Sequence, residues 1–361
     1  MNRKIIQIII VEDNVRMQNM YESTIDDFNR ENEDYKINYH ILRDDSDVPK
    51  ILISKRIDAI IIDLDWGTGL AEGEGNELIK TIHDYCRIPI FIVSGNLALL
   101  QDDYNESPIL KKYQRDEIDV YDLMNEIAEL YSTGYTKALG NQSKIDKMLS
   151  EVFWRHISSV ITSWENQEEE LQTRRILRFA VTRINEMLVV KESEGHDEYD
   201  TLEFYIKPNV KDFIFTGDII SYRSNNYIVV TASCDMAQDK SDYVALCKIE
   251  FDKLDSLRKR VEGDSNKAND ELGKFVNNSV PRYHLLPPCS LFKGGLVDFQ
   301  FVKSVEKNNF EKEASIIASI NPVFGKDIQA RFSQYYGRQG QPQLNKDNII
   351  TWIKENALTS L

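Results

Sequence analysis

Hydrophobic residues fall into unbroken blocks at three places in the first hundred positions, and each block stops on a polar group. Residues 8–13 read IIIVED, residues 58–65 read DAIIIDLD and residues 90–95 read IFIVSG. A fourth block, SPIL, leads into Lys111. Continuous Ile/Val runs of this length are the mark of parallel strands buried on both faces, because neither face can then be polar. The N-terminal third is therefore predicted to be an α/β fold built on a parallel sheet. Open parallel sheets bind ligands at the carboxyl ends of their strands. Glu12, Asp13, Asp63, Ser94 and Lys111 are thus expected to meet in one crevice.

The period then changes. Residues 143–165 carry Ile145, Met148, Leu149, Val152, Phe153, Ile157, Val160, Ile161 and Trp164 at i, i+3, i+4, i+7 spacing, which predicts an amphipathic helix with Ser143 as N-cap. Residues 171–190 predict a second, and the charged stretch ENQEEE joins the two. Such a hairpin cannot bury both stripes alone, so it is expected to form a homodimer bundle or to dock on a neighbouring domain. From about residue 204 the period is two. FYIKP, FIFTGDIISYR, NYIVVTASCDM, DYVALCKIEF, RYHLLPP and GGLVDFQFVKSV read as short strands, with turns at Gly217-Asp218 and Asn225-Asn226. Residues 253–278 read as a helical insertion, 322–338 as a closing helix and NIITWIKENAL as a last one. The pattern predicts a C-terminal α+β domain built on a partly open β-barrel. The expected domains are residues 1–131, 136–195 and 201–361.

Two acids, a third acid, a hydroxyl and a lysine at successive strand ends suit one kind of chemistry. Mg²⁺ takes oxygen ligands and keeps several waters, so a few carboxylates suffice. An aspartate attacks phosphorus only when its own charge and that of the phosphoryl group are offset, which a metal and an ammonium would do. The bland alternative is that Glu12 and Asp13 merely cap the helix that follows.

In this ordered set of residues the first 131 positions resemble the receiver domain of a two-component response regulator. The resemblance implies a doubly wound five-stranded parallel sheet, Mg²⁺ on Glu12, Asp13 and Asp63, phosphoryl transfer to Asp63, and phosphate contacts from Ser94 and Lys111. It implies a sensor histidine kinase or phosphotransfer protein as partner, in a bacterial cytoplasm. Several features depart from the family pattern. The loop after Asp63, LDWGTGLAEGEGNELIK, is long, lacks the Met-Pro-Gly turn, carries Asp65 and holds four glycines within residues 64–75, where a shift on activation is expected. Only 17 residues separate Ser94 from Lys111, room for no more than a stub of a fourth helix. Pro108 stands where an aromatic switch residue is expected. Lys112 is an alternative to Lys111; strand alternation favours Lys111.

Composition narrows the rest. No apolar run is as long as a membrane span. Cys86, Cys234, Cys247 and Cys289 show no CxxC spacing, which argues against a zinc site or disulfide framework and fits a reducing cytoplasm. Residues 1–131 hold 14 Lys/Arg against 27 Asp/Glu, and the remainder 30 against 32. The acidic part is repelled by nucleic-acid phosphates. The near-neutral remainder is neither excluded nor favoured as a nucleic-acid binder, although Arg174, Arg175, Arg178 and Arg183 share one helix.

GDIISYRSNNYIVVTASCDM weakly resembles the first hairpin of Kid/MazF-type SH3-like toxin barrels, which implies a nuclease-like alternative using Arg223, Arg331 or Arg338. Cys234, Asp235 and His284 form a second candidate set, for a Cys/His hydrolase; the plain alternative is a small Cys at a turn and a half-buried His. The leading expectation is a response regulator controlling a C-terminal effector or partner-binding domain. The alternatives are a receiver-regulated enzyme and a phosphate sink or scaffold.

Overall fold

The computed structural model describes residues 3–64, 66, 75–101, 104–158, 160–161, 168–191, 198–263, 265–338, 340 and 342–355. The chain divides into two compact units, Met1–His196 and Asp197–Leu361.

In the first unit, β1 (Lys4–Val11), β2 (Tyr35–Leu42), β3 (Ala59–Ile62), β4 (Ile90–Ser94) and β5 (Leu110–Gln114) form a parallel sheet in the order β2-β1-β3-β4-β5. This is one of the two common doubly wound orders, with a switch point between β1 and β3. The isoleucine blocks fill both faces. Ile8, Ile10, Ala59, Ile61, Phe91 and Val93 pack with Tyr21, Ile25 and Phe28 of α1 (Val15–Glu31) and with Leu123, Met124 and Ile127 of α4 (Val120–Ser132). Ile9, Val11, Ile60, Ile62, Ile90 and Ile92 pack with Val48 of α2 (Val48–Ser54) and with Leu78, Ile79 and Ile82 of α3 (Gly75–Tyr85). Alternate residues of one strand thus serve opposite cores, which is why the runs are unbroken. Between β4 and β5 the helical structure among the described residues is one 3₁₀ turn, Leu97–Leu99, so the expected stub is what forms.

Past α4, α5 (Tyr135–Leu139) and α6 (Lys144–Glu151) are fixed to the amino ends of the strands by polar groups. Asn141 accepts from Ile57 N–H at 2.8 Å and donates to Leu52 and Lys55 carbonyls at 3.0 and 2.9 Å. Thr136 donates to the buried carboxylate of Asp58 at 2.9 Å, which also accepts from Gln7 N–H and pairs with Arg56 at 2.9 Å. Ser143 caps α6, with Asp146 accepting from its backbone N–H at 3.1 Å. The single long helix expected from residue 143 is interrupted, because α6 widens into a π-type turn over Val152–Ile157. Val152 and Ile157 then pack against Ile176, Ala180 and Ile184 of α7 (Glu169–Lys191). Leu177, Val181 and Leu188 on α7 remain 60%, 65% and 52% exposed within the chain.

The second unit is an antiparallel sheet in the order β10-β11-β9-β8-β7-β12-β6. Its strands are β6 (Tyr205–Ile206), β7 (Asp218–Tyr222), β8 (Asn225–Val229), β9 (Tyr243–Glu250), β10 (Tyr283–Leu286), β11 (Gly295–Glu306) and β12 (Ser315–Ile320). Among the described residues no pairing joins β10 to β6, so the partly open barrel is observed only as an open-ordered sheet. Helix α8 (Ser233–Ala237) follows β8, α9 (Asp252–Glu262) and α10 (Asn266–Val276) form the insertion, and α11 (Lys307–Glu313) precedes β12. Helix α12 (Pro322–Gly337) buries Ile328 in one core, and α13 (Lys346–Glu355) ends the described chain. The β7–β8 turn lies at Arg223-Ser224, both left-handed with φ of 48° and 62°, two residues before the Asn-Asn expected. Strand β12 carried no clear signal, yet it joins β6 to β7.

Among the described residues no helix is long and apolar enough to cross a membrane. Asp58 supports three separate groups from one buried carboxylate, so its loss leaves them unpaired. Asp58→Ala is expected to lower the unfolding free energy by about 3 kcal/mol in urea denaturation. A loss below about 0.5 kcal/mol, the scale of ordinary surface substitutions, would contradict this account of the junction.

Candidate phosphoacceptor site

At the carboxyl ends of β1 and β3 the described residues contain a single group of three potential ligand side chains, Glu12, Asp13 and Asp63. One carboxylate oxygen from each lies within 4.8 Å of the other two. Glu12 and Asp63 are buried and Asp13 is partly exposed. The helix-capping alternative fails on geometry. Asn14 is the N-cap of α1, its side chain accepting from Arg16 and Met17 N–H, so neither acid is needed there. Glu12 instead accepts from Asn14 N–H at 3.0 Å, and Asp63 accepts from Leu64 N–H at 2.8 Å.

Ser94 is 1% exposed at the end of β4, and its hydroxyl hydrogen bonds to Asp63. Four of the five expected residues therefore meet. Lys111 does not. Its ammonium binds Glu126 of α4 at 2.7 Å, and the Tyr113 hydroxyl donates to the same carboxylate. Strand β5 runs on to Gln114, opposite Ser94 in register. The residue that emerges beside the acids is Arg115, whose backbone N–H donates to Ser94 O at 2.9 Å. Its Nη2 donates to Asp63 Oδ2 and lies 3.5 Å from Glu12 Oε2. The correction has a physical cause. β5 is an edge strand with polar residues along it, so the end of the apolar run does not mark the end of the strand. The strand carries an aromatic, Tyr113, two residues before Arg115.

Burial shapes the charges. Glu12 is pushed up to about 7, first by burial and then by Asp63 and Asp13, against the opposing Asn14 N–H and Arg115. Burial also raises Asp63, opposed chiefly by Arg115. Two buried acids and a third nearby, held by one guanidinium, form a site short of positive charge. The ligands are all oxygens, the donor type that hard divalent cations take. Arg115 Nε is a buried donor with no hydrogen-bond partner among the described residues. An anionic oxygen is the kind of acceptor that such a donor takes. Gly75 lies against the backbone of β3's end, where a Cβ would come 2.5 Å from Asp63 O. Asp65 and residues 67–74, the glycine-rich part of the loop, lie outside the described residues.

The C-terminal candidates are not brought together. Cys234 and Asp235 are exposed on α8. His284 is buried on β10, its Nδ1 accepting from Arg331 at 2.5 Å, and burial followed by Arg331 pushes its pKa down to about 3. A neutral imidazole bound to an arginine has no free nitrogen lone pair at Nδ1 to activate a thiol. The arginines of the nuclease alternative are also engaged: Arg223 with Glu313 at 2.7 Å, Arg331 also with Tyr283 O at 2.9 Å, and Arg338 over the Tyr335 ring at 3.9 Å.

No family model matches the chain, and no curated protein matches it. Among solved structures, it is similar to a response regulator receiver domain (CheY-like) from Methylobacillus flagellatus, at 17% identity and TM-score 0.26, over 35% of this chain and 99% of that one. A signal receiver domain of an HD domain-containing protein from Pseudomonas fluorescens Pf-5 is similar at 15% identity and TM-score 0.29, over 37% and 99%. A chain from a structure of two RcsB dimers bound to two parallel DNAs is similar at 15% identity and TM-score 0.25, over 53% and 93%. On its strand order the N-terminal unit has the flavodoxin-like doubly wound fold, with an acidic cluster at the carboxyl ends of the strands, where such sheets bind ligands.

The raised Glu12 has a consequence for stability. Its folded value lies above the unfolded 4.5, so the folded state holds the extra proton between those values. Without divalent ions, stability is therefore expected to fall as pH rises from about 5 to 8, by on the order of 2 kcal/mol, and Glu12→Gln should flatten that slope. Thermal melts of both proteins across this range check it; equal slopes would contradict the assignment.

Proposed function

We propose that this protein is a response regulator whose N-terminal unit accepts a phosphoryl group on Asp63, with Mg²⁺ held by Glu12, Asp13 and Asp63. The observation that carries the reading is the meeting of three carboxylates, the Ser94 hydroxyl and the Arg115 guanidinium at the ends of four parallel strands. The donor is a phosphohistidine of a sensor kinase or phosphotransfer protein. An Asp63 oxygen attacks phosphorus, the O–P bond forms and the N–P bond breaks. The electron pair returns to the imidazole nitrogen, which takes a proton from solvent. The metal, when bound, offsets negative charge at the phosphoryl oxygens. Ser94 and Arg115 donate to oxygens of the transferred group, and burial keeps bulk water from Asp63. Arg115 takes the role first given to Lys111.

The output passes to the C-terminal unit through the helical hairpin, which is rooted by Thr136 and Asn141 at the amino end of β3, the strand that ends on Asp63. The exposed stripe Leu177, Val181 and Leu188 supports a homodimer through α7. The C-terminal unit is proposed as a partner-binding or effector module, because Cys234 bonds Asp235 at 3.6 Å while His284 is held by Arg331 and no hydrogen bond among the described residues joins it to them.

Incubation with a small phosphodonor and Mg²⁺ should add one phosphoryl group by intact mass, and Asp63→Asn should add none. Modification persisting in Asp63→Asn would overturn the acceptor. For assembly, Leu177→Glu with Val181→Glu should convert a dimer to a monomer in light scattering. A wild-type monomer at high concentration would reject the bundle.

A further inference from the structure

At the amino ends of the strands, away from the acidic cluster, the first unit carries an open groove of about 1020 Å³. Five of its lining side chains are cations: Lys55 and Arg56 after α2, Lys137 on α5, and Lys144 and Lys147 on α6. Asp146 is the one acid among them. It is already held at 2.5 Å by Arg87, which stands outside the lining. Arg56 lays its fork on the buried Asp58, Nε and Nη2 each 3.1 Å from a carboxylate oxygen. Four ammonium groups remain. Lys55 Nζ lies 3.1 Å from His40 Nε2; burial and this ammonium push the imidazole pKa down, so that partner is neutral at pH 7. Lys137 sits over the Tyr131 ring at 4.4 Å. Lys144 and Lys147 are exposed and have no ion pair or hydrogen bond among the described residues. Three residues apart, they share one face of α6. Residues 1–131 hold 27 Asp/Glu against 14 Lys/Arg, so this cluster of unmatched cations runs against the charge of the body around it.

We propose that the groove binds a small molecule carrying at least two phosphate groups. Several cations in one concave place focus their field on an anion of matching size. Lysine is a rotating point charge that suits phosphate oxygens, whereas planar carboxylates are matched by the fork of arginine, and the one fork here is occupied by Asp58. A long nucleic acid would overlap the acidic surface beyond the groove and be repelled there. Ile5, 48% exposed on the groove wall, offers an apolar contact to an organic part of the ligand. The ligand would bridge the end of α2 to α5 and α6, at the root of the helical hairpin. This site is separate from the phosphoacceptor cluster and does not depend on how that cluster is read.

The test is calorimetric titration of the full-length protein with inorganic tripolyphosphate in buffer free of divalent ions. Wild type is expected to bind it at one site. Lys144→Gln with Lys147→Gln, and separately Lys55→Gln, should each weaken binding at least about tenfold. These side chains carry no structural pairing with a carboxylate, so thermal melts of the variants should match wild type and show that the loss is not unfolding. Adenosine triphosphate binding more tightly than tripolyphosphate supports an organic ligand using Ile5; equal binding supports recognition of the phosphate chain alone. No binding by wild type, or wild-type affinity in all the lysine variants, overturns the site. Tighter binding of hexaglutamate or of a short single-stranded DNA overturns the ligand class. Binding lost in Arg115→Gln and kept in the lysine variants places the anion at the phosphoacceptor cluster and overturns the proposal.

Discussion

Burying two carboxylates side by side is the constraint on which the rest of the N-terminal unit turns. Glu12 and Asp63 are 1% and 3% exposed at the ends of adjacent parallel strands. Neither can ionise there cheaply, since burial raises both, and Asp63 raises Glu12 further. The fold has no freedom to separate them, since β1 and β3 are paired over Ile8–Val11 and Ala59–Ile62 with both faces packed. A positive charge must reach this place. In the protein alone that charge is Arg115, delivered by β5 from the far edge of the sheet. The same demand is one that a divalent ion on the Glu12, Asp13 and Asp63 oxygens would also meet.

The scaffold does the opposite work at the other end of the strands. Asp58, also buried, is fully matched by Arg56, Thr136 and Gln7 N–H. Asp63 at the other end of β3 has a like set in Arg115, Leu64 N–H and the Ser94 hydroxyl, but its guanidinium is shared with a second buried acid, Glu12. Both acids are buried, and they differ in their neighbours: around Asp63 three carboxylates gather about one guanidinium, an imbalance of the kind found at functional sites.

How much of this was legible in the sequence follows from how local each signal is. Glu12, Asp13, Asp63 and Ser94 could be read because central parallel strands are apolar on both faces, so the chemistry appears where the apolar run stops. β5 breaks that rule. At the edge of the sheet Lys111, Lys112 and Gln114 are tolerated within the strand, and the strand end at Arg115 is set by pairing with β4. In the C-terminal unit the alternating strands and the helical insertion were visible. The insertion of β12 between β7 and β6 was not, because it is a pairing across about a hundred residues that no local pattern encodes. The π-type turn at Val152–Ile157 was hidden for a related reason: its apolar spacing fits an α-helix, and packing against α7 decides otherwise.

The central claim is that Asp63 is the acceptor and Arg115 the cation that answers it. A crystal structure of the protein with Mg²⁺ and beryllofluoride tests both at once. The account predicts beryllofluoride on an Asp63 oxygen, the metal among Glu12, Asp13 and Asp63, and Arg115 turned from Glu12 onto the fluorides. Beryllofluoride absent from Asp63, or Arg115 still on Glu12 with the site filled, would contradict it.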